Sequence, residues 1–321
     1  MTNAKTLIGK VKQIIPPLSE TMHKGQAGRT MVVGGSENYT GAPYYSCMSS
    51  MLLGADMGHI CCEPGASNVI KTYSPDLIVF PQMRQAVHAK KEETKEAIAE
   101  GIYPLLDRMH AVVIGPGLGR EELMQDTAAL LIKKIREKNL PLVIDADGLW
   151  LVKNQPELVT GYANTILTPN VIEFGRLCDA MGVSKDSGKP EEKCKELAKK
   201  MNVTIIQKGK TDYISNGSDV LTVTVEGGLK RCGGQGDVLS GTLGTMLAWR
   251  SCYHDKLWQH DDAISEGESI LLAAYGACTV TRFCSKTAFA EKGRGMMATD
   301  LVNSVGKAYH EIFEVEGESK L

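Results

Sequence analysis

Six short apolar runs punctuate the chain, and each gives way to a turn-forming residue. They are TMVVGG (30–35), LIVF (77–80), AVVIGPG (111–117), LVIDADG (142–148), TILTPN (165–170) and TIIQKG (204–209). Their β-branched and aliphatic residues run continuously instead of alternating with polar ones, which suits strands buried on both faces. Helical patterns separate them at 43–57, 89–108, 121–138 and 190–201. Strand–helix alternation at this spacing predicts an α/β fold with a mainly parallel central sheet and helices on both faces. After KGKTDYISNG, the run DVLTVTV and a turn at Gly227-Gly228 predict antiparallel edge strands. From Asp237 onward the pattern is helical, at 237–253, 262–285 and 299–313.

No internal repeat, low-complexity tract or linker interrupts the pattern, so residues 1–321 read as one domain, with about 1–22 as an N-terminal extension. MGVSKDSGKPEEK (181–193) reads as a surface loop before a helix. In sheets of this kind ligands bind at the carboxyl ends of the strands. The polar, glycine-bearing tails of the six runs all fall at that edge.

Charge narrows the partners. Thirty-six Lys and Arg against 38 Asp and Glu leave a net charge of −2, with no basic block. That argues against nucleic acid or an anionic membrane as partner. No apolar run approaches the ~18 residues of a membrane span. The first twenty residues lack the apolar core of a secretory signal, so the default address is cytoplasmic, with a short organelle address left open. The nine cysteines show no CxxC or Cys/His metal spacing and read as reduced thiols, with Cys61-Cys62 a packed pair.

Candidate chemistry gathers at the strand ends. GPGLGR (115–120) has GxGxG spacing instead of the dinucleotide GxGxxG, and reads either as a tight βα turn or as backbone lying against a ligand. In LTPNVIEFGRL (167–177), Asn170 and Glu173 share a face of a first helical turn. They read either as a helix cap or as a pair positioning a hydrated Mg²⁺ beside phosphates. Lys208, Gly209 and Asp212 read either as a surface hairpin or as a strand-end lysine neutralising phosphate. GGSENYTGAP (34–43) offers Ser36, Tyr39, Thr40, Gly41 and Ala42, as a plain connection or as the wall of an acceptor pocket.

RCGGQGDVLSGTLG (231–244) carries the most information. Gly233, Gly234 and Gly236 precede a helix whose first turn holds Asp237. Free amides at a helix start bind anions, and a helix cap alone does not need three glycines in four residues. An oxyanion loop with a carboxylate beside it has the parts for phosphoryl transfer: amides hold the phosphate, and the carboxylate takes the proton of an attacking hydroxyl. Cys232 beside the loop reads as a small residue that fits.

Taken in order, HKGQAGRTMVVGGSENYTGAPYYS (23–46), GPGLGR, DADGLWLV (145–152), LTPNVIEFGRL, KGKTDYIS and CGGQGDVLSGTLG resemble the ATP-dependent NAD(P)H-hydrate dehydratases of the ribokinase-like superfamily. The resemblance implies a ribokinase-like three-layer sandwich and the ATP-dependent return of (6S)-hydrated NADH or NADPH to the normal cofactor. It implies Asp237 as the base, and Gly233, Gly234, Gln235 and Gly236 as the anion hole. ATP would lie against Lys208, Gly209, Lys210, Thr211 and Asp212, and against Lys230, Arg231, Cys232 and the same glycine loop. The hydrated cofactor would meet Gly117, Gly119, Asn170, Val171, Ile172, Glu173, Phe174, Gly175, Arg176 and Asp237, with Tyr39 and Ala42 lining its pocket. Mg²⁺ would accompany ATP, with Glu173 as its ligand. The chain is too short to include the epimerase module fused to some members, so that partner would be a separate protein.

Two other readings share these parts. One is a superfamily kinase that keeps its phosphorylated product, acting on a small alcohol. The other is a nucleotide-binding regulator without turnover. Helix 262–285 is rich in small residues, which suits packing in a core or between subunits and leaves a homo-oligomer open.

Overall fold

The computed structural model describes residues 4–184 and 188–315. Among them, nine strands form one sheet. They are β1 Arg29–Val33, β2 Met57–Cys61, β3 Ile78–Phe80, β4 Ala111–Ile114, β5 Leu142–Ile144, β6 Thr165–Leu167, β7 Thr204–Gln207, β8 Asp212–Ser215 and β9 Val220–Val223. Their order is β3-β2-β1-β4-β5-β6-β7-β8-β9. All pairings through β7 are parallel, and β7–β8 and β8–β9 are antiparallel. The expected parallel sheet with antiparallel edge strands is therefore present.

Twelve α-helices among the described residues accompany it: α1 Ala4–Gln13, α2 Gly41–Leu53, α3 Pro64–Tyr73, α4 Lys95–Leu106, α5 Glu122–Glu137, α6 Asp147–Asn154, α7 Val171–Met181, α8 Pro190–Met201, α9 Gln235–His254, α10 Glu266–Lys292, α11 Ala298–Asn303 and α12 Val305–Tyr309. Side chains alternate across the sheet. On β1, Val32 joins the core beneath α1–α3 and α9–α12, while Met31 and Val33 join the core beneath α4–α8. All three are fully buried, which is why their run is continuously apolar.

The winding direction reverses between β1 and β4. From β1 the chain proceeds outward to β2 and β3, then returns to β4 on the other side of β1 and proceeds to β7. Right-handed crossovers running in opposite directions place their helices on opposite faces. They also open a crevice where the connections after β1 and β4 diverge.

Several sequence-level boundaries move, and the single helix expected at 299–313 is broken at Ser304 into α11 and α12, with a π-helical turn at His310–Glu314. The helix expected at 43–57 stops at Leu53, where Gly54 (φ 127°) caps it, and Met57–Cys61 is a strand. MGHIC lacks the aliphatic density of the other strands, and it abuts the helix after only a three-residue turn. Helix α3 has no counterpart in the sequence pattern, and 89–94 lies outside α4. Helix α10 runs from Glu266 to Lys292, later at both ends than 262–285. The surface loop read at 181–193 begins after Met181, and α8 starts at Pro190; residues 185–187 within it lie outside the described residues.

Within the extension, residues 1–3 lie outside the described residues, but α1 is packed. Leu7, Ile8, Val11 and Ile14 are buried in the same core as α10. Gly276 of α10 has no room for a Cβ, which would sit 2.9 Å from Val11 Cγ1.

Helix α9 aims the site. It is buried along nearly its whole length and passes between α2, α10 and the sheet. A Cβ on Gly241 would lie 1.8 Å from Ser46 O of α2, so glycine permits this close crossing. The packing directs the N-terminus of α9 to the carboxyl edge of the central strands.

Candidate active site

Asp237 is the third residue of α9, immediately inside the glycine turn. Gly234, the residue before the helix, has φ 92°, and a Cβ there would meet Ala298 of α11 at 2.4 Å. The sequence needs glycine there for both conformation and space. Gln235 reaches back and donates to Lys230 O at 3.0 Å, closing the turn. Gly233 faces open space.

Next to this loop lies a charge cluster supplied by three neighbouring strands. Lys208, just past β7, donates to Asp145 Oδ1 at 2.9 Å. Thr168, just past β6, donates to the same oxygen at 2.6 Å. Asp145, just past β5, is buried. A Cβ on Gly236 would lie 3.4 Å from Lys208 Nζ and 3.5 Å from Asp145 Oδ2, so this pair touches the amide loop. Burial pushes Asp237 up to about 7, and the charge of Asp145 adds to the rise while Lys208 opposes it. Burial alone would lower Lys208, but the charges of Asp145 and Glu173 outweigh it and the amine sits above its ordinary value. A carboxylate poised near neutrality beside a fixed cation, in the first turn of a helix, suits general-base work on a hydroxyl.

Backbone strain builds the Asp145 corner. Ala146 has φ 49° and ψ −119°, a rare conformation for a residue with a side chain. Gly115 (φ 124°) makes the corner possible, because a Cβ there would lie 1.8 Å from Asp145 O. The next carboxylate, Asp147, accepts from Gly119 N at 3.0 Å and from Arg120 Nε at 3.1 Å. It therefore ties the GPGLGR turn to β5.

Asn170 and Glu173 form a capping box at α7. Asn170 Oδ1 accepts from Ile172 N and Glu173 N, and Glu173 Oε2 accepts from Asn170 N at 2.8 Å. Burial raises Glu173, against the Asn170 amide and the Lys208 charge. Its Oε1 is bonded to no described residue. Among the described residues no three His, Cys, Asp or Glu side chains converge as a metal cage. Glu173 is near enough to Lys208 for their charges to interact, and one unbonded carboxylate oxygen there fits a Mg²⁺ carried mainly by phosphates and water.

The expected site residues fall into two groups, one around a cavity and one at the β1/β4 crevice. A cavity of about 590 Å³ is lined by Asn170, Val171, Ile172, Lys208, Gly209, Asp212 and the loop from Arg231 to Gly236. Val171 and Ile172 are exposed apolar residues at its rim. Asp212 is committed to structure: it accepts from Gly209 N at 3.0 Å and pairs with Arg282 at 2.6 Å. Lys210, Thr211 and Lys230 stand beside the cavity without lining it, and Lys230 donates to Arg294 O. Phe174 turns into the core below α7, Gly175 is half-buried and Arg176 is exposed. The second group lies at the β1/β4 crevice. A Cβ on Gly117 would meet Tyr39 O at 2.7 Å, and one on Gly119 would meet Ser36 Oγ at 3.4 Å. Ala42 is half-buried in the first turn of α2, above the same crevice.

Asp145, Asp147, Thr168 and Arg282 are not singled out by the sequence pattern as site residues. The available signal is the carboxylate closing LVIDADG at the carboxyl edge. Arg282 lies within a long helix and gives no signal, although it donates to Gly209 O, Lys210 O and Val225 O and holds the cavity wall together.

Solved structures share this architecture. A ribokinase-like superfamily protein from Enterococcus faecalis superposes with TM-score 0.73 at 18% identity, over 98% of this chain and 96% of that one. An ADP/ATP-dependent NAD(P)H-hydrate dehydratase from Bacillus subtilis, co-crystallized with ATP/Mg²⁺, superposes with TM-score 0.66 at 21% identity, over 95% of this chain and 97% of that one. The fold is thus that of the ribokinase-like proteins.

Sequence comparison is more specific. Residues 30–307 match the family described as NAD(P)H-hydrate dehydratase. The ATP-dependent (S)-NAD(P)H-hydrate dehydratase of Phaeosphaeria nodorum is 55% identical over 306 residues, 95% of this chain and 94% of that protein. Its namesake from Schizosaccharomyces pombe is 54% identical over 310 residues, 97% and 94% respectively. The chain belongs to the NAD(P)H-hydrate dehydratase family.

Proposed function

We propose that the chain dehydrates (6S)-hydrated NADH and NADPH at the expense of ATP, with Asp237 as the base. The observation that carries this reading is Asp237, raised to about 7, which directly follows the cavity-lining residues Gly233 to Gly236 and feels the charges of Asp145 and Lys208. ATP would occupy the 590 Å³ cavity with its γ-phosphate on the amides of Gly233 to Gly236. The hydrated ring would enter from the crevice side.

Hydroxide is a poor leaving group, so the C6 hydroxyl first attacks the γ-phosphorus while Asp237 takes its proton, and ADP departs. Lys208 offsets negative charge as the phosphoryl group moves. The ring nitrogen then expels phosphate, breaking the C6–O bond. Loss of a proton from C5 restores the dihydropyridine, so the balance is hydrate and ATP to NAD(P)H, ADP, phosphate and a proton. Mg²⁺, held by the free oxygen of Glu173 together with the phosphates, would supply further charge neutralisation. Residues 1–321 act as one domain in this reading, and an epimerase activity would supply the S form from its epimer.

The test is to mix pure protein with a hydrate epimer mixture, ATP and Mg²⁺ and to follow dihydronicotinamide absorbance. Recovery of about half the material, without an epimerase, is expected. No recovery overturns the dehydratase reading. ADP formation with a stable phosphorylated product would point instead to a kinase.

A further inference from the structure

The last residue of GPGLGR is held in place yet presents its charge to solvent. Arg120 donates through Nε to Asp147 Oδ1 at 3.1 Å, and its guanidinium lies 4.5 Å above the Trp150 ring. The other oxygen of Asp147 accepts from Gly119 N at 3.0 Å, so one carboxylate sets both the turn and the arginine. The terminal NH1 and NH2 groups are bonded to no described residue, and the side chain is 55% exposed. Lys153 Nζ lies 4.7 Å from the same ring, which brings a second cation to the spot. A guanidinium pinned by stacking and one hydrogen bond loses little freedom when its open fork meets an oxyanion.

We propose that Arg120 is a specificity-determining residue that binds the diphosphate bridge of the hydrated dinucleotide; this rests on the dehydratase reading above. Two observations choose the ligand. Arg120 does not line the 590 Å³ cavity, so the anion it serves is not the bound ATP. Its partner Asp147 is close enough to Asp237 to help raise that carboxyl group. The guanidinium is thus one carboxylate removed from the reacting end of the substrate. That separation suits the bridge, which both hydrates carry, better than a 2′-phosphate on the distal ribose.

The test compares wild type with Arg120→Ala and Arg120→Lys on three substrates: hydrated NADH, hydrated NADPH and the hydrate of reduced nicotinamide riboside, which has no phosphate. Arg120→Ala is expected to raise KM about tenfold for both dinucleotides. KM for ATP should stay within about twofold, and Arg120→Lys should recover part of the loss. On the riboside hydrate the variants should match wild type. An equal loss on all three substrates would show a structural role and overturn the proposal. A loss confined to hydrated NADPH would assign the arginine to the 2′-phosphate and overturn it as well, as would no loss at all. A wild-type protein inactive on every hydrate would instead overturn the dehydratase reading itself.

Discussion

Lys208 Nζ lies 2.9 Å from Asp145 Oδ1, joining the carboxyl ends of two strands that are not neighbours in the sheet. Between them, at the end of β6, Thr168 donates to the same carboxylate oxygen. The Asp145 side chain is 3% exposed and that of Lys208 is 22% exposed, so the pair is largely cut off from water. Because it also touches Gly236, it sets the charge felt by Asp237 and by the glycine turn.

Breaking this pair from one side leaves a buried charge. Lys208→Met is expected to destabilise the apo-protein by about 3 kcal/mol, at the low end for buried pairs because the lysine keeps some exposure. The double variant Lys208→Met with Asp145→Asn should recover most of that loss in urea unfolding. Neither variant should recover turnover. If the single and double variants are equally stable, the pair is not coupled as described.

Asp237 should impose an acid limb on the rate. With its carboxyl group raised to about 7, kcat is expected to climb as pH rises through that value, well above the ordinary carboxylate range. Asp145→Asn removes one cause of the rise, so its limb should move to lower pH. Asp237→Asn should lower kcat by a factor of about 10² to 10⁴.

The same residue makes a stability prediction of opposite sense. A carboxyl group raised from its ordinary 3.8 favours the folded chain fully below that pH, and the contribution is lost as pH rises through about 7. Asp237→Asn cannot ionise, so its stability relative to wild type should grow from pH 4 to pH 8. In nucleotide-free protein a gain of roughly 2–5 °C in Tm at pH 8, and less at pH 5, is expected. A gain that is equal at both pH values would contradict the assignment.

Much of this arrangement is legible in the sequence, and the exceptions share a cause. The continuous apolar runs reveal the buried strands, and the three glycines before Asp237 reveal the tight turn that opens α9. Those signals are local. Strand β2 is hidden because Gly58 and His59 dilute its apolar character, although His59 is buried and bonds Thr30 O through Nδ1. The role of Asp145 depends on Lys208, 63 positions away, and the role of Arg282 depends on Asp212, 70 positions away. Only the strand order brings such residues together. Asn170 and Glu173 illustrate a different limit: their spacing suits both a cap and a metal site, and the capping box leaves Glu173 one oxygen for the second task.

Glycine substitutions separate strain from mere flexibility. Gly115→Ala would force a Cβ to 1.8 Å from Asp145 O at φ 124°, and should cost about 3 kcal/mol or more with loss of turnover. Gly101 is exposed in α4, and a methyl group added there would meet nothing within 4 Å. Gly101→Ala should therefore gain about 0.5–1 kcal/mol with activity intact. Chemical denaturation of the two variants tests this directly.

If the C6 hydroxyl itself attacks ATP, its oxygen leaves with the phosphate. Hydrated NADH bearing a heavy-oxygen label at C6 is turned over with ATP, and the released phosphate is examined by mass spectrometry. The label is predicted in inorganic phosphate, one atom per NADH restored, because the C6–O bond breaks after the oxygen has joined phosphorus. Label recovered in water, with unlabelled phosphate, would contradict that attack.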